Sequence, residues 1–177
     1  MTSSKIGIQS FHGDLKHAIE CVYEAYGFEL TEPSLNPESE EYAACSFQLN
    51  GRKIQHRVAK ITPTKTGQFV AIWKRDIEGK TAPFDSSDNL GAIIITVRKG
   101  EELGQFIFPS AVLSQQGIVT SNGKEGKRGM RVYPPWDIVT NKQAEKTQAW
   151  QIKYFLRIGR GEAIEFGWLK QLFAKAS

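Results

Sequence analysis

The run Ala92-Ile93-Ile94-Ile95-Thr96-Val97 constrains this chain more than any other feature. It is continuous, apolar and β-branched, with no polar alternation. β-Branched side chains favour extended backbone, and a strand without a polar side needs cover on both faces. The expected architecture is therefore a sheet with layers above and below it. A chain of 177 residues has enough length for one full hydrophobic core and would be cramped as two domains. No apolar run approaches the roughly 18–20 residues of a membrane span. Met1-Thr2-Ser3-Ser4-Lys5 lacks the apolar core of a secretory signal. These features point to a cytoplasmic protein with no membrane partner. Cys21 and Cys45 lie in apolar or mixed segments and are expected as buried free thiols. With three scattered histidines they make no zinc pattern.

Other elements follow from periodicity and punctuation. Leu15, Ala18, Ile19, Val22, Tyr23 and Tyr26 recur at helical spacing, which predicts a helix from about Asp14 to Tyr26, with Gly27 as the left-handed residue after its end. Residues 31–37, TEPSLNP, are predicted as a loop. A helical turn is expected over Glu38 to Tyr42, then a strand near Phe47–Leu49. Asn50-Gly51 signals a hairpin turn. Strands are predicted at Lys53–Thr62, Phe69–Trp73, Phe106–Phe108 and Arg131–Tyr133, with Pro109 opening a short helix through Leu113. The polar, glycine-rich residues 114–130 suggest a mobile surface loop. A late helix is predicted from Thr140, which forms a capping box with Gln143. Its apolar side carries Ala144 and Phe155, flanked by Ile152 and Ile158. A last helix spans about Glu162 to Lys175, with Ile164, Trp168, Leu169 and Leu172 as its stripe. This order of elements is α/β or α+β.

Charge is spread unevenly. Residues 1–50 carry eight acidic and two basic residues, whereas residues 51–177 carry eleven acidic and twenty-one basic. From Gly51 to Arg75 there are seven Lys or Arg and no Asp or Glu. A basic hairpin with hydroxyls and an aromatic, AKITPTKTGQFVAIWKR over residues 59–75, suits a phosphate-rich polymer. The competing explanation is a strand edge protected by cations. Lys65, Gln68, Trp73, Lys74 and Arg75 are its candidate contacts. A second segment, KEGKRGMRVYPPWD at 124–137, offers Lys127, Arg128 and Arg131 beside Tyr133 and Trp136. Cations with stacking surfaces suit single-stranded nucleic acid, while each aromatic could equally anchor a loop. On the late helix, 100° per residue places Lys142, Lys146, Lys153 and Arg157 within about 60° of one another, a basic ridge.

Common catalytic patterns are missing. There is no G-x-S-x-G elbow, no P-loop and no dinucleotide fingerprint. Metal-assisted phosphodiester cleavage needs acidic ligands, and Glu38, Glu40, Glu41, Asp85 and Asp88 are available outside the basic hairpin. Lys60 is predicted mid-strand in an apolar setting, where an ammonium needs a carboxylate or phosphate partner.

Taken together, AKITPTKTGQFVAIWKR, FIFPSAVL, KEGKRGMRVYPPWD and TNKQAEKTQAWQ resemble the MepB family of bacterial proteins over roughly residues 40–157. The resemblance implies one MepB-like domain over residues 1–177, with a helical N-terminal segment at about 1–37. It implies an α/β (α+β) fold with a mixed β-sheet flanked by helices, like the PD-(D/E)xK restriction endonucleases. It also implies association with a multidrug-resistance operon. In the nuclease pattern a carboxylate precedes a strand holding acid-x-Lys. Lys60 matches that lysine, whereas Val58 takes the acid's position and binds no metal. Either Glu40, Glu41 or Asp88 fills in as metal ligand, or cleavage has been lost. The leading expectation is a nucleic-acid-acting protein with a nuclease-type fold, a Mg²⁺- or Mn²⁺-dependent phosphodiesterase on single strands or ends of DNA rather than RNA, without an organic cofactor. Lys60 is its catalytic residue. The alternatives are a non-catalytic DNA-binding module, or an accessory protein that binds drugs or other small molecules.

Overall fold

The computed structural model describes residues 7–159 and 166–174. In chain order the strands are β1 (Leu30–Leu35), β2 (Cys45–Leu49), β3 (Arg52–Val58), β4 (Lys60–Ile61), β5 (Gln68–Ala71), β6 (Trp73–Arg75), β7 (Thr81–Pro83), β8 (Leu90–Lys99), β9 (Glu102–Pro109), β10 (Gly129–Val132) and β11 (Phe155–Arg157). The helices are α1 (Gly13–Ala18), which runs into a π-helical segment at Ile19–Glu24, then α2 (Ser110–Gln115), α3 (Lys142–Gln151) and α4 (Phe166–Leu172). Six strands form a mixed sheet in the order β1-β2-β3-β8-β9-β11. β10-β5-β4 and β6-β7 form two smaller sheets. No helix among the described residues is long and apolar enough to cross a membrane.

The run 92–97 becomes the middle of β8 and is covered on both faces. Ala92 and Ile94 join a core with Leu15, Ile19, Phe47, Ile54 and Phe173. Ile93, Ile95 and Val97 join a second core with Val70, Ile72, Phe106, Phe108 and Val132. The period-2 pleat makes this division. β3 and β8 pair in parallel, the one parallel junction in the large sheet as described. A parallel pair needs a long crossover. Residues 59–89 supply it with β4 to β7, so the crossover carries the basic segment out onto one face.

Between the first core and β8 runs a buried polar ladder. Cys45 Sγ lies 3.6 Å from His56 Nδ1, and His56 Nε2 lies 2.7 Å from Thr96 Oγ1. Gln105 donates to Thr96 Oγ1 at 3.0 Å and accepts from the Tyr23 hydroxyl at 2.5 Å. Partners for every member make such burial tolerable.

Several expectations need correction. Residues 31–35 are strand, not loop: β1 is an edge strand with a register shift between Thr31 and Ser34. Pro33 sits within that irregularity, where no ladder donor is required. Tyr26 lies beyond the helix and is 42 % exposed, because the wider π turn at Ile19–Glu24 shifts the stripe. The predicted strand 53–62 breaks at Ala59, and Lys60–Ile61 join another sheet. Residues 69–73 split likewise at Ile72, whose N–H donates to Arg128 O. The cap of α3 is Asn141, whose side chain accepts from Ala144 N at 2.8 Å; Thr140 is not the cap. That helix stops at Gln151, because Phe155–Arg157 pair with β9 instead. A Cβ on Gly104 would run into the Phe155 ring, so glycine there lets the strand dock. Phe155 is half-buried rather than on a helix face, and Arg157 leaves the ridge to pair with Glu102.

Residues 114–130 are tied down. Ile118 and Val119 are buried, Thr120 N donates to Phe84 O, and Lys127 N donates to Ile118 O. Both cysteines are free, but Cys21 is exposed. In α4, Leu169 is fully buried and Trp168 and Leu172 pack beside it, whereas Glu162, Ile164 and Lys175 lie outside the described residues.

Candidate nucleic-acid interface

Phe69 in β5 lies opposite Lys60 in β4 and opposite Arg131 in β10. Directly opposed residues project to one side of a sheet, so the three form a row with cations at both ends. The Arg131 guanidinium donates to Thr62 Oγ1 at 2.6 Å and to Thr66 O at 3.1 Å, which staples the turn between β4 and β5. Gly67 in that turn has φ +83°, and a Cβ there would stand 2.7 Å from the Tyr133 ring. Only glycine permits both the backbone and the close approach. Gln151, fully buried at the end of α3, accepts from Tyr133 N at 2.8 Å and donates to Arg131 O at 3.0 Å. The turn, β10 and α3 are therefore locked together.

Between them lies a groove of about 540 Å³. Lys65, Lys127 and Arg131 line it with Tyr133, Asn141 and Trp150, and no Asp or Glu lines it. Lys65 also borders a neighbouring depression of about 450 Å³ that contains Lys99, Trp136 and Asp137. Burial pushes the Asp137 pKa up despite Lys99 at 3.7 Å. A larger depression, about 760 Å³, lies elsewhere and is lined by Arg52, Lys53 and Asp85 among hydroxyls. It gathers none of the cations expected to hold phosphate.

The groove brings together three of the expected contacts, and the others lie apart from it. Gln68 is buried, with its amide nitrogen donating to Arg98 O and its Oε1 without a partner. The Lys74 ammonium donates to Asp85 Oδ2 at 3.0 Å and to both Asp88 oxygens at 2.9 and 2.8 Å, so its charge is already matched. Arg75 is exposed, lies 5.2 Å over the Trp73 ring and donates to Gly79 O. Arg128 pairs with Glu125 at 3.0 Å. Lys142 and Lys146 are exposed on α3, and Lys153 is exposed beyond its end.

Lys60 departs from expectation. It lies in a two-residue strand with 47 % of its side chain exposed, not in an apolar interior. Its ammonium lies 3.6 Å from Glu41 Oε2 and 4.8 Å from the centre of the Tyr42 ring. Glu40 is exposed and shares one turn with Glu41, whereas Asp88 is held by Lys74. Among the described residues no group of three His, Cys, Asp or Glu is placed to hold a metal ion. Mg²⁺ and Mn²⁺ prefer several oxygen ligands, and the donors around Lys60 do not fit them.

One buried cation was not singled out from the sequence. Arg57 is 2 % exposed. It donates to Gln55 Oε1 at 3.1 Å, His56 O at 2.9 Å and Trp73 O at 3.4 Å, and lies 5.8 Å over Phe84. Its Nε has no partner, and it has no ion pair within 4.0 Å among the described residues. Burial lowers its pKa to about 10, against the opposing charge of Glu38. Alternation along β3 gave no signal for it, since a charged residue amid polar neighbours resembles a solvent face. The anchoring role of Gln151 was equally hidden, because the helix was expected to continue past it.

Comparison with known proteins locates the chain. A family model described as MepB-like matches residues 36–157. A crystal structure of MepB is 35% identical in sequence and superposes with a TM-score of 0.71, over 74% of this chain and 88% of that one. No curated protein matches. By the extent of the family match and the shared mixed-sheet fold, this chain belongs to the MepB-like family.

Proposed function

We propose that this protein binds nucleic acid, preferentially single-stranded DNA, without cleaving it. One observation carries the proposal: Lys65 from the β4–β5 turn and Lys127 and Arg131 from the segment around β10 converge on a groove that no Asp or Glu lines. Phosphate contacts need fixed cations, and Tyr133 and Trp150 add ring surface on which bases can stack. The restriction-endonuclease type of fold that the family resemblance implies would suit a protein that handles polynucleotides, but fold alone does not assign activity. Cleavage is the weaker alternative. Lys60 has one carboxylate beside it, Glu41, and the acid-x-Lys position is Val58. A drug-binding role is also weaker, because the groove lining is largely polar. Two free cysteines agree with a reducing, cytoplasmic setting.

The test is to incubate the purified protein with end-labelled single- and double-stranded DNA and RNA, in Mg²⁺, Mn²⁺ or EDTA. Retardation without cleavage is expected, and binding should weaken steeply with salt. Replacing Lys65, Lys127 and Arg131 together by Ala should lower the log–log salt slope by about 2 on a single strand. Binding indifferent to salt would refute the proposal. Metal-dependent cleavage would restore the phosphodiesterase.

A further inference from the structure

The acidic segment Glu38–Glu41 lies where a nucleic-acid strand leaving the basic groove would meet its next cations. The row Lys60–Phe69–Arg131 connects the two places: Arg131 lines the groove, and Lys60 stands at the other end. The chain covers that end with its own residues. Tyr42 rests against Phe69 at 6.2 Å and under the Lys60 ammonium, and Glu41 lies 3.6 Å from the same ammonium. On its inner side the segment reaches the buried Arg57. Asn36 donates to Gln55 Oε1 at 3.0 Å, the same oxygen that accepts from Arg57. Glu38 is the carboxylate whose charge acts on that guanidinium.

Backbone hydrogen bonds from Asn36, Tyr42, Ala43 and Ala44 hold the segment, but it retains left-handed residues and an unpaired hydroxyl. Ser39 and Ala43 both have left-handed backbone, with φ of 59° and 49°, and neither is glycine. Such conformations persist only when surrounding contacts hold them, and they cluster at switching segments. The Ser39 hydroxyl is buried without a partner, and so is Arg57 Nε. Glu41 and Lys60 are both largely exposed, with 70% and 47% of their side chains accessible, so water screens the pair that closes the segment.

We propose that residues 36–44 form an autoinhibitory strap. Its Glu41 carboxylate takes the place of a phosphodiester at Lys60, and a bound strand displaces it. This rests on the nucleic-acid proposal above and adds the regulation of that site. Displacement would let the strand extend from Lys65 and Arg131 onto Lys60 and the guanidinium beneath.

The experiment measures oligothymidylate affinity by anisotropy for Glu38→Gln/Glu40→Gln/Glu41→Gln. The control is Glu20→Gln/Glu24→Gln/Glu29→Gln, three exposed acids of the N-terminal segment. The strap variant should bind roughly twofold to fivefold tighter than the control, the range of one or two exposed ion pairs. On a Lys60→Ala/Arg57→Met background the same three substitutions should gain nothing over the control. A second readout is Cys45, which directly follows the strap and is 1% exposed. In a Cys21→Ser protein, oligothymidylate should speed the reaction of Cys45 with a thiol reagent several-fold. Equal gains from strap and control, a gain that survives the double background, or a Cys45 rate unchanged by ligand would each overturn the strap while leaving the nucleic-acid proposal intact. Absence of oligonucleotide binding would remove both.

Discussion

Lys74 and Asp88 form a two-pronged ion pair, with the ammonium 2.9 and 2.8 Å from the two carboxylate oxygens. Asp85 takes the remaining place at 3.0 Å, while Asp88 also accepts from Asp85 N at 2.8 Å. The ammonium thus fills the space between two carboxylates. Burial works against its charge, but the hydrogen bonds to Asp88 and Asp85 outweigh that and hold its pKa above the usual lysine value. Asp85 is held below the usual carboxylate range by hydrogen bonds from Ser87 and then Lys74. The lysine contribution is complete below its ordinary pKa and fades as pH rises through the raised folded value. The Asp85 contribution is present above its ordinary pKa and fades as pH falls through the lowered one. Lys74→Met should therefore cost about 1 kcal/mol or more at neutral pH, measured by urea unfolding. The cost should shrink near pH 3, where Asp85, no longer held by the ammonium, takes up a proton. A cost independent of pH would mean that packing, not charge, is lost.

The same pair has a consequence for binding. Lys74 is already neutralised, so Lys74→Met should leave the salt dependence of DNA binding unchanged. Lys65→Ala, at the exposed turn, should lower the log–log slope by about 0.7 on a single strand. A fall in slope for Lys74→Met would place phosphate at β6 and shift the interface away from α3.

His56 predicts an acid-labile core. Full burial, then the nearby charges of Arg57 and His12, lower its pKa to about 3, so the folded protein holds it neutral. The unfolded chain protonates it near its ordinary pKa, about 6.5. The neutral form is favoured above that value, and stability falls as pH drops from there toward the folded pKa. Between about pH 6 and pH 5, before most carboxylates titrate, the slope should be about 1.4 kcal/mol per pH unit from this group. His56→Gln keeps a polar group near Thr96 and should flatten that window in urea titrations. An unchanged slope would assign the acid sensitivity to another group.

How much of this was legible in the sequence depended on the range of the interaction. Ala92–Val97 declared a doubly covered strand because local composition alone requires it. Asn50-Gly51 declared its hairpin, and both residues have positive φ, 50° and 82°. The break at Ala59 was not legible, since the transfer of Lys60 to another sheet depends on pairing with Phe69, nine positions away. Phe155 kept helical spacing with Ala144, but an open edge on β9 claimed it. The site was legible in part for the same reason. Cations in turns, such as Lys65 and Lys127, were found by composition. The matching of Lys74 by Asp85 and Asp88 was not, because it needed β6 to meet the loop after β7. Lys60 was misjudged for lack of its strand's true length.

Arg57 offers the sharpest test of whether a buried cation is there for stability. Its guanidinium gains three hydrogen bonds but gives up hydration on every side, and its Nε is unpaired. Replacement of a buried charge by an apolar side chain of similar length is often neutral or stabilising, because the desolvation cost disappears with the charge. Arg57→Met should therefore lie within about 1 kcal/mol of the natural protein in urea unfolding. Arg57→Ala leaves a void beside Phe84 and should cost about 3 kcal/mol. Arg57→Lys should be worse than Met, since an ammonium is still buried but cannot span Gln55, His56 O and Trp73 O with a planar fork. That order, Met above Lys and Ala, would mean that the chain keeps the guanidinium at no gain in stability, as a group held for a ligand would be. If Met costs as much as Ala, the hydrogen bond to Trp73 O holds β3 to β6, and Arg57 is a structural staple.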